Sequence, residues 1–319
     1  MRTKLYAVIV LGMLALGSYA QDFVKVDNTV KTYPTTYNSL DRLASRIQSD
    51  FRSDEDRARA IFTWIALNIK YDTSPGALGR APIKYSYSTE AERQAKIAEI
   101  EMNLARETLQ KKTGVCHGYA MLYKILAEKM GIETEVIHGN AKILPKDIGK
   151  GPVTSNHAWN AVNINGQWKL IDVTWGSGGI IGTTRKFGFL FDDNYFFTQP
   201  DVFFRNHFPD DKKWLLTNKN EQDFAEQPLY YDLGYDLIAP NFGVLKIQKG
   251  AGQVPFKIKG IESTDEVAYQ FTSGMYSKKV TPNIVNGVAE FNVQVDAATK
   301  GTLTIFVNKM SVAAYTVQR

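Results

Sequence analysis

The stretch NHAWNAVNINGQWKLIDVTWG, Asn156 to Gly176, limits the fold of this chain more than any other. Two strand-like runs flank Asn165-Gly166. Asn and Gly accept the positive φ angles of a two-residue type I′ turn, so this dipeptide is the strongest short-range hairpin signal. With Asn165 and Gly166 as the turn, facing positions sum to 331. His157 then opposes Thr174, and Trp159 opposes Asp172. Side chains alternate across a strand, so His157 and Asp172 fall on one face as diagonal neighbours, about 7–8 Å apart at the backbone. A carboxylate can thus orient an imidazole. Taken singly, His157 reads as a core or surface histidine and Asp172 as a polar residue near a turn. The shared face gives the pair a use.

Upstream, TGVCHGYAMLYKILAEKMG (Thr113 to Gly131) holds the only cysteine, Cys116. Tyr119, Leu122, Leu126 and Met130 recur at helical spacing, Gly114 breaks the preceding helix, and Gly131 fits the residue just past a helix end. Cys116 therefore lies at a helix N-terminus, where orphan N–H groups and the positive dipole end stabilise an anion. Thiols so placed have pKa values down to roughly 3.5–7.5, against about 8.5 for a free cysteine. Gly118 lets backbone or substrate come close.

The redox context sharpens the question. Arg2 and Lys4 precede an apolar run from Leu5 to Gly17, and Ser18-Tyr19-Ala20 is a small-x-small cleavage site. This pattern predicts a secretory signal peptide over residues 1–20, export to the periplasm or cell exterior, and no transmembrane segment after cleavage. A lone cysteine in an exported chain cannot pair internally. It is an inert buried thiol, one half of an intermolecular disulfide, or a nucleophile. Loss of Arg2 and Lys4 takes the net charge from +5 to +3. Spread over a chain of this length, that charge gives no nucleic-acid footprint.

Other segments fill in the frame. Residues 21–38 read as an extended lead-in. Leu40, Leu43 and Ile47 mark a short helix after Ser39. Ser53 and Asp56 resemble a capping box ahead of EDRARAIFTWIALNIKYD, where Ala58, Ile61, Phe62, Ile65 and Ile69 share one helix face. Pro75, Gly76, Gly79 and Pro82 make residues 73–88 a loop, and residues 90–112 read as a solvated surface helix. Three further histidines, His117, His138 and His207, are weaker candidates. Adjacent residues diverge on a helix, which turns His117 from Cys116. His138 lies in a strand-like run, and His207 in a late aromatic segment. Asp192-Asp193-Asn194 reads as a turn, and no twelve-residue calcium loop is present, so no metal and no cofactor is expected.

Three separated motifs resemble the core of transglutaminase-like proteins, a branch of the papain-like cysteine enzymes. They are GVCHGYAMLYKILAEKMGI, NHAWNAV and GQWKLIDVTWG. DNYFFTQPDVFFRNHFPDDKKWLL and WIALNIKYD are similar to tracts of the branch that holds the kyphoscoliosis peptidase and yeast cytokinesis proteins. The resemblance implies a Cys116–His157–Asp172 triad, with the cysteine-bearing helix packed on an antiparallel sheet. It implies a thiol enzyme, peptidase, amidase or transglutaminase, acting on amide bonds of protein or peptide substrates. The Cys116 backbone N–H is one natural oxyanion donor, and Trp64 or Tyr71 would be a family-like second. A non-catalytic binding or scaffold protein on the same fold is the rival.

From about Glu221 short strand-like runs recur between turn residues, as in an all-β sandwich. The expected class is α+β: a transglutaminase-like domain over 21–222, then an immunoglobulin-like β-sandwich over 223–319. The second domain is suited to an accessory or envelope-partner role.

Overall fold

The computed structural model describes residues 23–77, 86–181, 186–247, 250 and 252–318. The expected signal peptide lies outside the described residues, as do Gly79 and Pro82.

Among the described residues, five α-helices build the first region. They are α1 (Val24–Val30), α2 (Leu40–Asp50), α3 (Asp54–Asn68), α4 (Glu90–Lys111) and α5 (Cys116–Glu128). Side chains of Ser39, Ser53 and Thr89 cap α2, α3 and α4 by accepting a backbone N–H, which satisfies one orphan donor at each start. The expected lead-in over 21–38 is corrected by α1. Val26 and Val30 share its buried face, and Asp27 meets Arg59 of α3 through two hydrogen bonds of 2.9 and 2.7 Å. Helix α3 is also not amphipathic, because every residue from Ala58 to Ala66 is buried. A helix covered on all sides is a central one. Tyr119 and Tyr123 of α5 reach it through their hydroxyls, donating to the carbonyls of Ile69 (2.5 Å) and Ala58 (3.1 Å).

Helix α5 packs on a five-stranded antiparallel sheet. The strand order is Phe196–Thr198, Gln167–Ile171, His157–Ile164, Thr134–Ala141 and His207–Pro209. Asn160 in the middle strand ties helix to sheet, donating to the carbonyls of Ala120 (3.0 Å) and Glu135 (3.1 Å). Gly118 is required here by α4, since a Cβ at that position would lie 2.7 Å from Thr108 Oγ1.

The hairpin turn has φ of +52° at Asn165 and +81° at Gly166. Its ladder runs from Ile164–Gln167 to Asn160–Ile171 in the expected register. It stops there, so His157 does not face Thr174 and Trp159 does not face Asp172. His157 pairs instead with Gly139 of the neighbouring strand.

After Glu226 the chain is β-rich. One sheet orders Asp236–Ala239, Gly252–Lys259, Val288–Val295 and Asn283–Val285. The other orders Leu229–Tyr230, Met310–Gln318, Gly301–Val307, Val267–Phe271 and Lys278–Val280, with Val244–Lys246 also on Met310–Gln318. Phe256 of the first sheet meets Tyr315 of the second edge-on at 5.2 Å. The expected boundary after residue 222 falls inside the short helix Glu221–Glu226. Phe224 of that helix packs with Phe204 and Phe208. Lys142 donates to the carbonyls of Phe224 (2.7 Å) and Gln227 (2.8 Å), and burial lowers its pKa to about 7.

Candidate active site

Cys116 is the first residue of α5. The preceding Val115 is extended and offers no capping side chain, so the N–H groups of the helix start are left to face whatever occupies the site. Cys116 is 7% exposed and packs among Ala120, Ala158 and Val136. Ala158 and His157 lie on the strand beneath, which brings the imidazole to the same place.

Asp172 follows the last paired residue of its strand and leaves the ladder. Its Oδ1 accepts from the backbone N–H of Thr174 (2.9 Å) and Trp175 (3.1 Å), starting the one-turn helix Val173–Gly176. That commitment fixes the carboxylate and turns Oδ2 to His157 Nε2, at 2.7 Å. With Nε2 engaged by Asp172, Nδ1 is the His157 ring nitrogen not committed to the carboxylate. Trp175 stacks on the other side of His157 at 5.2 Å.

The electrostatics follow from burial and pairing. Burial alone would lower the pKa of His157. The Asp172 charge, the Asp172 hydrogen bond and Cys116 outweigh it and raise His157 to about 10. Burial alone would raise Asp172. The His157 charge and the hydrogen bonds from both imidazoles hold it below the usual carboxylate range. The pair favours a carboxylate beside an imidazolium.

His207 joins this group. Its Nε2 lies 3.1 Å from the same Asp172 Oδ2, and the ring is completely buried. Sequence reasoning set His207 aside, because a separation of 35 residues gives no periodic signal. His117 and His138 stand apart from the carboxylate, with ring centroids 5.0 Å from each other. Trp64 is withdrawn from the oxyanion role: it is fully buried, and its indole N–H donates to the Pro34 carbonyl at 3.0 Å. Tyr71 is partly buried and close enough to feel the charges of Cys116 and Asp172, which add to burial in raising its pKa.

Among the described residues, one group could converge on a metal ion: His157, Asp172 and His207, with donor atoms within 4.8 Å of one another. Both ring Nε2 atoms aim at a single carboxylate oxygen, and the other oxygen takes two backbone N–H groups. Hydrogen bonding accounts for the whole cluster. Asp192 caps a turn through Asn194, and Asp193 pairs with Arg59 at 3.3 Å.

The family profile described as "Transglutaminase-like superfamily" matches residues 41–173. The chain is similar to kyphoscoliosis peptidase of Homo sapiens, with 30% identity over 242 residues, 73% of this chain and 33% of that protein. The Mus musculus kyphoscoliosis peptidase is 34% identical over 196 residues, 61% of this chain and 26% of that protein. This chain thus matches a third or less of these relatives' lengths. A solved structure described as "a TGase" is 16% identical, with a TM-score of 0.29 over 58% of this chain and 40% of its own. By its family profile and its kyphoscoliosis peptidase relatives, the chain belongs to the transglutaminase-like superfamily, in the branch that includes those peptidases.

Proposed function

We propose that this chain is a thiol enzyme that cleaves or exchanges amide bonds of protein or peptide substrates. The observation that carries the proposal is the 2.7 Å contact of His157 Nε2 with the buried Asp172 carboxylate, with Ala158, the residue after His157, packed against Cys116 at a helix start.

The Cys116 thiolate attacks the amide carbon, and the carbonyl electron pair moves to oxygen. In this reading the Cys116 backbone N–H, at the helix start that no side chain caps, donates to that oxyanion, and Tyr71 is our candidate for the second donor. The tetrahedral intermediate collapses as the His157 imidazolium gives its proton to the leaving nitrogen. A thioester and a free amine result. Neutral His157 then takes a proton from the next nucleophile, which attacks the thioester and releases Cys116. Asp172 keeps Nε2–H pointed at itself and so keeps Nδ1 for chemistry. The nucleophile is water in a peptidase and a primary amine in a transglutaminase. The relatives' name, peptidase, favours water.

Export through residues 1–20 and an immunoglobulin-like accessory role for the C-terminal sheets complete the proposal. Both rest on the sequence patterns above and await their own tests. The activity test offers a peptide library, with and without a primary amine, to wild type and Cys116→Ala. The proposal expects products from wild type alone. Amine incorporation would select transglutamination. Identical profiles from the two proteins would leave the scaffold reading.

A further inference from the structure

Asp172 Oδ2 is shared by two imidazoles, those of His157 and His207. His207 comes from the edge strand His207–Pro209, which pairs with Thr134–Ala141 on the side opposite the His157 strand. Gly139, between the two, permits this crowding. A Cβ there would lie 2.3 Å from the Phe208 carbonyl oxygen and 2.5 Å from the Trp159 ring. The His207 ring is held by stacking on Phe203 at 4.0 Å and by Trp175 at 4.6 Å.

The proton position on His207 follows from its neighbours. Nε2 faces Asp172 Oδ2 at 3.1 Å, and Nδ1 faces the Phe203 carbonyl at 3.3 Å. Both are acceptors. A neutral ring has one N–H, and the nearer, charged carboxylate claims it. Burial lowers the pKa of His207 despite the hydrogen bond to Asp172. His207 is thus a neutral donor beside a His157 that carries charge. The titratable groups facing the two rings are Asp172, Cys116 and Tyr195, with Tyr71 near Asp172 and Cys116.

We propose that His207 is a positioning residue that acts through Asp172: by donating Nε2–H to Oδ2 it takes up part of the carboxylate charge and limits how tightly Asp172 holds the His157 proton. An imidazolium held too tightly is a poor general acid, because proton transfer is most efficient when the acid's pKa lies near the working pH. The inference rests on the thiol-enzyme reading given above.

The test compares alkylation of Cys116 by iodoacetate and iodoacetamide across pH, in wild type, His207→Phe and His207→Gln. The anionic reagent gains from the imidazolium and the neutral one does not, so their rate ratio falls as His157 loses its proton. A hydrogen bond to a charged group corresponds to about one pH unit or more. His207→Phe removes the donor but keeps the ring, and the fall in the ratio moves up by about one pH unit. His207→Gln keeps an N–H near the same place and returns the fall toward the wild-type position. An unmoved or downward-shifted fall in folded His207→Phe overturns the proposal. So does a glutamine variant displaced as far as the phenylalanine one. If His207→Phe does not fold, the glutamine variant decides: a fall at or near the wild-type position supports the donor role, and a fall displaced by about one pH unit overturns it. A wild type whose ratio does not change with pH strikes the thiol-enzyme reading instead, which keeps the two failures apart.

Discussion

Asp27 and Asp172 are both buried carboxylates with nitrogen partners, and they do different work. Asp27 accepts two hydrogen bonds from Arg59 and one from Thr63 at 2.6 Å. The Arg59 guanidinium lies over the rings of Phe23, Phe62, Phe191 and Phe196. Asp172 accepts from two imidazoles and two backbone N–H groups. A guanidinium is not deprotonated in proteins, whereas an imidazole exchanges its proton near neutral pH. The first pair can only hold α1 to α3. The second can pass a proton, and it stands beside the one thiol in the chain. Two similar burials of charge thus separate into a staple and a site because of the chemistry of the cation.

The largest effect that could break this comparison is on turnover. Asp172→Asn can still present its carbonyl oxygen to Thr174 and Trp175. Its NH₂ then faces His157 Nε2, so the ring carries its proton on Nδ1, the wrong tautomer for taking a proton from the thiol. Turnover should fall by up to about 10⁴, measured as initial rates on any peptide that wild type cleaves. A variant within tenfold of wild type would remove Asp172 from the mechanism. Stability should fall too, with a defined pH window. Raised His157 contributes stability that is fully present below its unfolded value near 6.5 and is lost as pH rises through about 10. Lowered Asp172 contributes stability present above about 3.9 and lost as pH falls. The deficit of Asp172→Asn, read by urea denaturation, should therefore be widest from about pH 4 to 6.5.

Asp27→Asn should give the complementary pattern. It leaves the buried guanidinium with only the exposed Asp193 carboxylate, at 3.3 Å, as countercharge, and breaking one side of a buried pair costs up to about 3–5 kcal/mol. Urea midpoints should drop accordingly, while the rate per folded molecule stays at the wild-type value. A lost rate with unchanged stability would mean that the two carboxylates are not distinct in kind.

Much of this was legible in the chain, and the gaps have physical causes. Asn165-Gly166 set the register, and the helix pattern after Gly114 set the start of α5, because both signals are local. The diagonal between His157 and Asp172 led to the right pair by an incomplete route. The ladder ends at Ile171, since the Asp172 side chain caps the next helix and does not continue the strand. Helix α1 was missed because its support comes from Arg59, 32 residues away. Trp64 stood as a candidate oxyanion donor because its acceptor, the Pro34 carbonyl, is 30 residues distant. His207 was passed over for the same reason: only the folded sheet sets it against Asp172. Periodicity reports which face is apolar, and it is silent on which buried polar groups find each other.

The central claim is that Cys116 is a nucleophile activated by His157, and alkylation tests it without knowledge of the substrate. Folded protein is treated with iodoacetamide across pH 5–9, and modification of Cys116 is followed by mass spectrometry. The account predicts rapid modification well below the ordinary thiol range near pH 8.5, and loss of that low-pH reactivity in His157→Ala. An ordinary thiol titration in wild type, or no modification until the protein is denatured, would contradict it.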